Sequence, residues 1–194
     1  AEAGISTPPG AIETYDKLAL GGEPTGKTLA PAGEWLIPQG YLKPFAAVRH
    51  VHFGAQAAIE WRRLHGDRGT SEIRSLDLSI YREAMTYCGN RAPRAPIQAQ
   101  FSLSHGLAWA LVHGDLTPEA YDDAGLTNPE VRRLEELVRI SEDRAMTAEN
   151  RRAARLVVAT PSGDQCTVSG VVPGEPDMPL SAKDVEAKVI RYAA

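Results

Sequence analysis

The chain has 194 residues, with 21 Lys and Arg against 25 Asp and Glu and a formal net charge of −4. That length can bury a real core, and 43% hydrophobic with 24% charged residues is ordinary for a soluble globular protein. The lack of a basic excess argues against a dedicated nucleic-acid binder. No apolar run approaches the length of a membrane span, and the first residues, AEAG, offer neither a basic nor an apolar signal region. Two cysteines, Cys88 and Cys166, are too few for a disulfide framework and too far apart for a CxxC site. Free thiols and a cytoplasmic location are therefore expected.

Residues 1–40 hold five of the 14 prolines and seven of the 17 glycines. Such a stretch cannot sustain a long helix, and it reads as an extended, loop-rich arm with a short helix or turn near residues 12–18. Within it GGEPTGKT, residues 21–28, fits G-x-x-x-x-G-K-[ST] letter for letter. A P-loop needs a buried strand before it and a helix after it, so that backbone N–H groups cradle the phosphates. Here only Leu18-Ala19-Leu20 precedes it, and Pro31 and Gly33 interrupt any helix within about one turn of its end. A Gly-rich surface loop is the expected structure, and nucleotide binding is the least favoured function.

From Ala46 the pattern changes. Ala55, Ala58, Ile59, Arg62 and Leu64 predict a helix over residues 52–65, closed by Gly66. Alternation of Ile73, Leu76, Leu78 and Ile80 with polar residues predicts a strand. Residues 89–99, with Pro93 and Pro96, read as a loop, and residues 101–113 as an apolar helix. Thr117-Pro118-Glu119 and Asn128-Pro129-Glu130 each place an N-cap before a proline at the first helical position. Val138 and Ile140 alternate with Arg139 as in a strand. ARLVVAT (154–160) and CTVSGVV (166–172) around a Pro-Ser-Gly-Asp turn predict a hairpin. Ser181 caps a last helix over residues 182–194, with Asp184 early in it. The sum is an α+β domain over residues 41–194, with a mostly antiparallel sheet and helices packed on one face.

Two segments carry chemistry. Lys43, Arg49, His50 and His52 surround a short turn. Arg suits bidentate carboxylate binding, Lys supplies a point charge or a proton, and His titrates near neutral pH. The plain alternative is a solvated basic surface with a capping histidine. His50-Val51-His52 could be a metal pair, but no third ligand is identifiable from spacing. In QFSLSHGLAWALVHGD, residues 100–115, Ser102, Ser104 and His105 sit at a helix start, where exposed N–H groups cap or hold a carboxylate. Leu103, Leu107, Ala108, Trp109, Leu111 and Val112 are core candidates. His113 and His65 lie at helix ends, where a positive charge would compensate the dipole.

Together these segments resemble the MmgE/PrpD family. Lys43 through His52 matches its K-P-Y-x-x-C-R-x-x-H pattern, and Ala99 through Gly114 its A-[KQ]-F-S-L-x-Y-x-V-A-x-A-L-x-x-G. Weaker likenesses flank them, at Ala3 through Pro9 and at Asp177 through Lys188. The family contains 2-methylcitrate dehydratases, cis-aconitate decarboxylases and iminodisuccinate epimerases. Its members join a large helical domain to a smaller α+β lid, and this chain corresponds to the lid.

The resemblance implies one wall of a metal-independent, cofactor-free acid–base site that acts next to a carboxylate. Lys43, Arg49, Ser102 and Ser104 would bind substrate, and His52 and His105 would transfer or steer protons. Two departures matter. Val48 stands where many members have Cys and the decarboxylases a histidine, and an aliphatic side chain cannot transfer a proton. His105 replaces the usual Tyr, exchanging a phenol for an imidazole of lower pKa. The helical domain's Asp and His are absent from the chain. A small carboxylate substrate and a helical PrpD-like subunit, or a homo-oligomer burying the same face, are therefore the expected partners. A non-catalytic substrate-binding or interaction subunit is the competing reading.

Overall fold

The structure, a computed structural model, describes residues 40–192. Residues 1–39 of the predicted arm, and the GGEPTGKT segment with them, lie outside the described residues. Four strands form one sheet: β1 (Ser75–Ile80), β2 (Val138–Glu142), β3 (Ala154–Thr160) and β4 (Gly163–Ser169), in the order β2-β1-β3-β4. β1 pairs antiparallel with β3, and β3 with β4, whereas β1 and β2 are parallel. A parallel neighbour needs a long crossover to bring the chain back to the same end, and the helices between residues 80 and 138 supply it.

Alternation is what makes these segments strands. Leu76, Leu78 and Ile80 are fully buried while Ser75, Asp77 and Ser79 between them are half-buried. On β3, Ala154, Leu156 and Val158 are buried the same way. One sheet face is therefore apolar, and helices cover it.

Eight α-helices are described: α1 (Arg49–His65), α2 (Arg82–Cys88), α3 (Pro96–Gln100), α4 (Leu103–His113), α5 (Asp123–Thr127), α6 (Pro129–Leu137), α7 (Arg144–Ala148) and α8 (Ala182–Tyr192). The central pair is α1 and α4. Val48 N donates to Gln100 O at 3.1 Å beside their starts, and Arg62 Nη1 donates to Leu111 O at 2.8 Å beside their ends. The two helices therefore run side by side in the same direction. Their contact is close because small residues line it. Gly106 faces Val51, and a Cβ there would run into Val51 Cγ1. On the other side α1 is tied to the sheet by Thr167 Oγ1, which donates to Ala57 O at 2.9 Å.

Most predicted elements are present, with differences that have local causes. The first helix begins at Arg49 rather than His52, since Val48 is the last extended residue and Val51 is already in the core. The loop predicted over residues 89–99 gives way at its end to α3, because Pro96 sits at a helix N-terminus, where the missing N–H costs nothing. Residues 101–102 precede α4, whose cap is Ser102. Thr117 makes no side-chain cap, and Pro118–Tyr121 is a single 3-10 turn. Asn128 does cap, accepting from Glu130 N and Val131 N at 3.1 Å each. The hairpin turn is tighter than predicted, with Thr160 paired directly to Gly163. Ser181 and Asp184 form the predicted reciprocal cap: Ser181 Oγ accepts from Asp184 N at 3.2 Å, and the Asp184 carboxylate accepts from Ser181 N at 3.0 Å. No described helix is long and apolar enough to cross a membrane.

Gly106→Ala should destabilise the domain by about 1–3 kcal/mol, the usual cost of overpacking a close contact, measured by urea unfolding. Adding Val51→Ala makes room for the new methyl. The double variant is therefore expected to be more stable than the sum of the two single losses, and simple additivity would show that the α1–α4 contact is not the constraint.

Candidate functional site

The segment before α1 and the segment before α4 lie next to each other because of the Val48–Gln100 hydrogen bond. A cleft of about 450 Å3 opens there. Its walls are the turn from Lys43 through Val48, Gln100 and Phe101 at the end of α3, Pro118, and Lys188 from α8. Lys188 Nζ donates to the Lys43 carbonyl oxygen, which holds α8 against the turn. Val48, the N-cap of α1, provides no side-chain hydrogen bond to the helix, so the positive end of a 17-residue helix adjoins the cleft without a cap from that residue. Among the described residues the lining thus contains two ammonium groups and no carboxylate. Such a surface attracts anions.

Arg49 is placed differently from Lys43. It is 7% exposed and does not line the cleft. Its guanidinium pairs with Glu175 and lies over the rings of Tyr41, at 4.8 Å, and Phe53, at 5.0 Å. A buried guanidinium needs a counter-ion, and Glu175 serves. The turn that presents Glu175 packs tightly: Gly174 has a φ of 93°, and a Cβ there would strike Leu42 O. Leu42 N donates back to Gly174 O at 2.8 Å. Arg49 therefore fastens the lysine turn to the segment preceding α8.

His52 is fully enclosed under the same turn. Its Nε2 lies 3.1 Å from Ala47 O, and since a carbonyl only accepts, Nε2 carries the proton. Phe45 packs edge-on against the ring at 5.3 Å. Burial, with Arg49, Lys43 and Lys188 nearby, outweighs the Ala47 hydrogen bond and pushes the imidazole down to about 4. His52 is thus a neutral donor at pH 7 that holds the cleft floor in shape, and its ring does not open into the cleft.

Ser102, Ser104 and His105 are also fully enclosed. Ser102 Oγ accepts from His105 N at 3.2 Å, donates to Asn90 O at 2.6 Å, and lies 3.1 Å from Ser104 Oγ. Ser104 Oγ donates to Glu135 Oε1 at 3.2 Å, and Arg132 on α6 bonds Glu135 Oε2 at 2.8 Å. His105 Nε2 bonds Ala120 O at 2.7 Å, while its Nδ1 stands 3.9 Å from Glu135 Oε2. The arrangement is a buried polar network joining α4, α6 and the 118–121 turn. Of the candidate site residues, Lys43 lines the cleft, whereas Arg49, Ser102, Ser104 and His105 do not. Only Lys43 and the residues just before Ser102 reach the cleft.

The remaining histidines also have packing partners. The Tyr81 hydroxyl and His50 Nδ1 are 2.6 Å apart, and the His50 ring stacks on Tyr87 at 5.9 Å. His50 and His52 thus face different partners, and among the described residues no three His, Cys, Asp or Glu side chains gather as a metal-holding group. His113, expected as a charged partner of the helix dipole, stacks on Trp109 at 3.9 Å, and burial and Arg62 lower its pKa. Cys88 is buried, its thiol pushed up to about 12. Sequence reading overlooked Glu175, Glu135 and Lys188 as partners of this region. Only Lys188 had a visible signal, as the end of the stretch from Asp177 that resembles the family.

The described residues form an α+β domain with a four-stranded mixed sheet. Residues 45–194 match the MmgE/PrpD C-terminal domain, and the chain belongs to that family. No curated protein matches the chain.

Because His52 is neutral when folded, the unfolded chain binds a proton that the folded one refuses. Its contribution is complete above about pH 6.5 and is lost as pH falls toward 4. The loss should reach up to about 3 kcal/mol. Urea unfolding between pH 7 and 4 is expected to show that slope in the native chain and a clearly flatter one in His52→Gln, which keeps a donor for Ala47. An equal slope in both would refute the assignment.

Proposed function

We propose that the domain is the carboxylate-binding wall of a metal-independent MmgE/PrpD lyase or isomerase, a dehydratase or epimerase, and that it works with a helical domain. The observation that carries this reading is Lys43, placed by the family's own motif at the mouth of a cleft beside the start of α1 that no described carboxylate lines. Removing a proton next to a carboxylate moves negative charge onto the carboxylate oxygens. A fixed ammonium stabilises that charge more in the transition state than in the ground state, which lowers the barrier.

The proton-transferring groups come from outside this wall. Among the described residues Lys43 and Lys188 are the only titratable side chains lining the cleft, and His52 and His105 are enclosed. On this reading both histidines hold the walls in place. The need for a helical domain is supported by the apolar side chains exposed around α8, Leu42, Val189 and Ile190 among them. Enclosure of the histidines also favours a second reading, a substrate-binding subunit without catalysis of its own.

The test is turnover of a panel of hydroxy-carboxylates by the chain alone and by the chain with a helical MmgE/PrpD domain. Dehydration or epimerisation should appear only in the assembled pair. In that pair Lys43→Ala should lower kcat/KM by about 100-fold, roughly 2.7 kcal/mol of transition-state stabilisation. No turnover in any assembly would favour the binding subunit, and full turnover by the Lys43 variant would remove the lysine from the mechanism.

A further inference from the structure

A second cleft, of about 340 Å3, lies between α2, α7 and the chain that leads into β3. It shares no lining residue with the lysine cleft. Arg82 N donates to Thr147 Oγ1 at 3.0 Å, which ties the start of α2 to α7. Tyr81 and Met146, both almost completely buried, form an apolar floor. Beside them stands the ring of Tyr87, which is 62% exposed. His50 stacks on that ring with the planes 13° from parallel, and His50 Nδ1 is itself held 2.6 Å from the Tyr81 hydroxyl. The phenol ring is thereby backed from within the protein and offers its remaining surface for stacking.

The polar groups of this cleft are set by the end of α7. Asn150 has a φ of 50°, a left-handed conformation that Asn tolerates better than most residues. Asn150 N donates to Thr147 O at 3.2 Å and Arg151 N to Met146 O at 2.9 Å, the pair of bonds that closes a helix in a Schellman turn. That turn delivers Arg152 to the cleft. Two guanidinium groups, Arg82 and Arg152, line it with one carboxylate, Glu83. Arg82 Nη2 bonds Glu142, which is outside the lining, at 3.2 Å. Arg152 Nη2 stands 3.8 Å from Glu83 Oε2, an ion pair too long for a hydrogen bond. The Arg152 fork can therefore still take a bidentate acceptor.

We propose that this cleft binds a planar aromatic carboxylate, with its ring stacked on Tyr87 over the Tyr81–Met146 floor and its carboxylate on Arg152. A flat ring gains from stacking in a way that an aliphatic ring of the same size does not. The excess positive charge of the lining favours an anion over a neutral molecule. The site is separate from the lysine cleft and does not depend on the function proposed for it.

The test is titration of the full chain with benzoate, cyclohexanecarboxylate and benzyl alcohol, followed by the amide NMR shifts of Thr86, Tyr87 and Asn150. Benzoate should bind at least about fivefold more tightly than either of the others, one of which lacks the aromatic ring and one the charge. Tyr87→Leu should remove the advantage over cyclohexanecarboxylate, and Arg152→Gln the advantage over benzyl alcohol. Both side chains are more than half exposed, so urea unfolding should find the variants as stable as the native chain. Lys43→Gln should leave all three affinities at this cleft unchanged.

Equal affinities for the three probes overturn the proposal, as does an advantage that survives either substitution. Benzoate shifts that appear only around Lys43, and vanish in Lys43→Gln, would place the binding in the lysine cleft and overturn it too. That last result would leave the role proposed for Lys43 intact, so the two proposals fail separately.

Discussion

The close contact between α1 and α4 sets the geometry of the whole domain. Two helices that run in the same direction at short range bring their N-terminal ends to one place and their dipoles into alignment, which on its own is electrostatically unfavourable. Small residues permit the approach, with Gly106 against Val51. Hydrogen bonds at both ends fix it, from Val48 N to Gln100 O and from Arg62 to Leu111 O. The two positive helix ends have different solutions. α4 is capped by Ser102 and backed by the Ser104–Glu135 hydrogen bond. α1 begins at Arg49, its N-cap Val48 offers no side-chain cap, and it adjoins the lysine cleft. One helix start is closed by the protein's own side chains, and the other has no side-chain cap from its N-cap residue.

The same asymmetry explains which polar groups are structural. Glu135 is almost completely buried, and a buried carboxylate without a partner costs several kcal/mol. Arg132 meets that need and also bonds Leu126 O and Pro93 O at 2.7 Å each, so one guanidinium ties α6 to α5 and to the loop before α3. Arg49 plays the corresponding part for Glu175 beneath the lysine turn. Both arginines pair with carboxylates of the protein, whereas Lys43 and Lys188 line the cleft. An arginine suits the first task because its planar fork bonds in fixed directions, and a lysine suits the second because its ammonium is a compact charge on a flexible stem.

Family membership, the cleft and the enclosed histidines fit a division of labour. A wall that binds a carboxylate needs fixed cations and a firm floor. It does not need its own base if another domain approaches the opposite side of the ligand. Enclosed His52 and His105 suit such a floor, since each ring bonds a backbone carbonyl, Ala47 and Ala120 respectively. Val48, in the position that carries a Cys or a histidine in many relatives, likewise makes the floor apolar.

What the sequence determined by itself was local or repeated. Apolar alternation marked β1, β3 and the hairpin. The Ser181–Asp184 and Asn128 caps fixed helix starts within a residue, because a cap is decided by neighbours along the chain. The motif around Lys43 marked both the family and the cation that lines the cleft. Tertiary structure decided everything that depended on pairing across distance. It placed β2 parallel to β1, through a crossover whose direction no local pattern encodes. It enclosed Ser102, Ser104 and His105 by packing α6 and the 118–121 turn over them, so a polar helix start that reads as a ligand site became an internal network. It gave Arg49 to Glu175 and put Lys188 beside Lys43, 145 residues earlier in the chain. A side chain's charge and polarity can be read from sequence, but whether it meets water, a counter-ion or a ligand is settled only when distant segments pack against it.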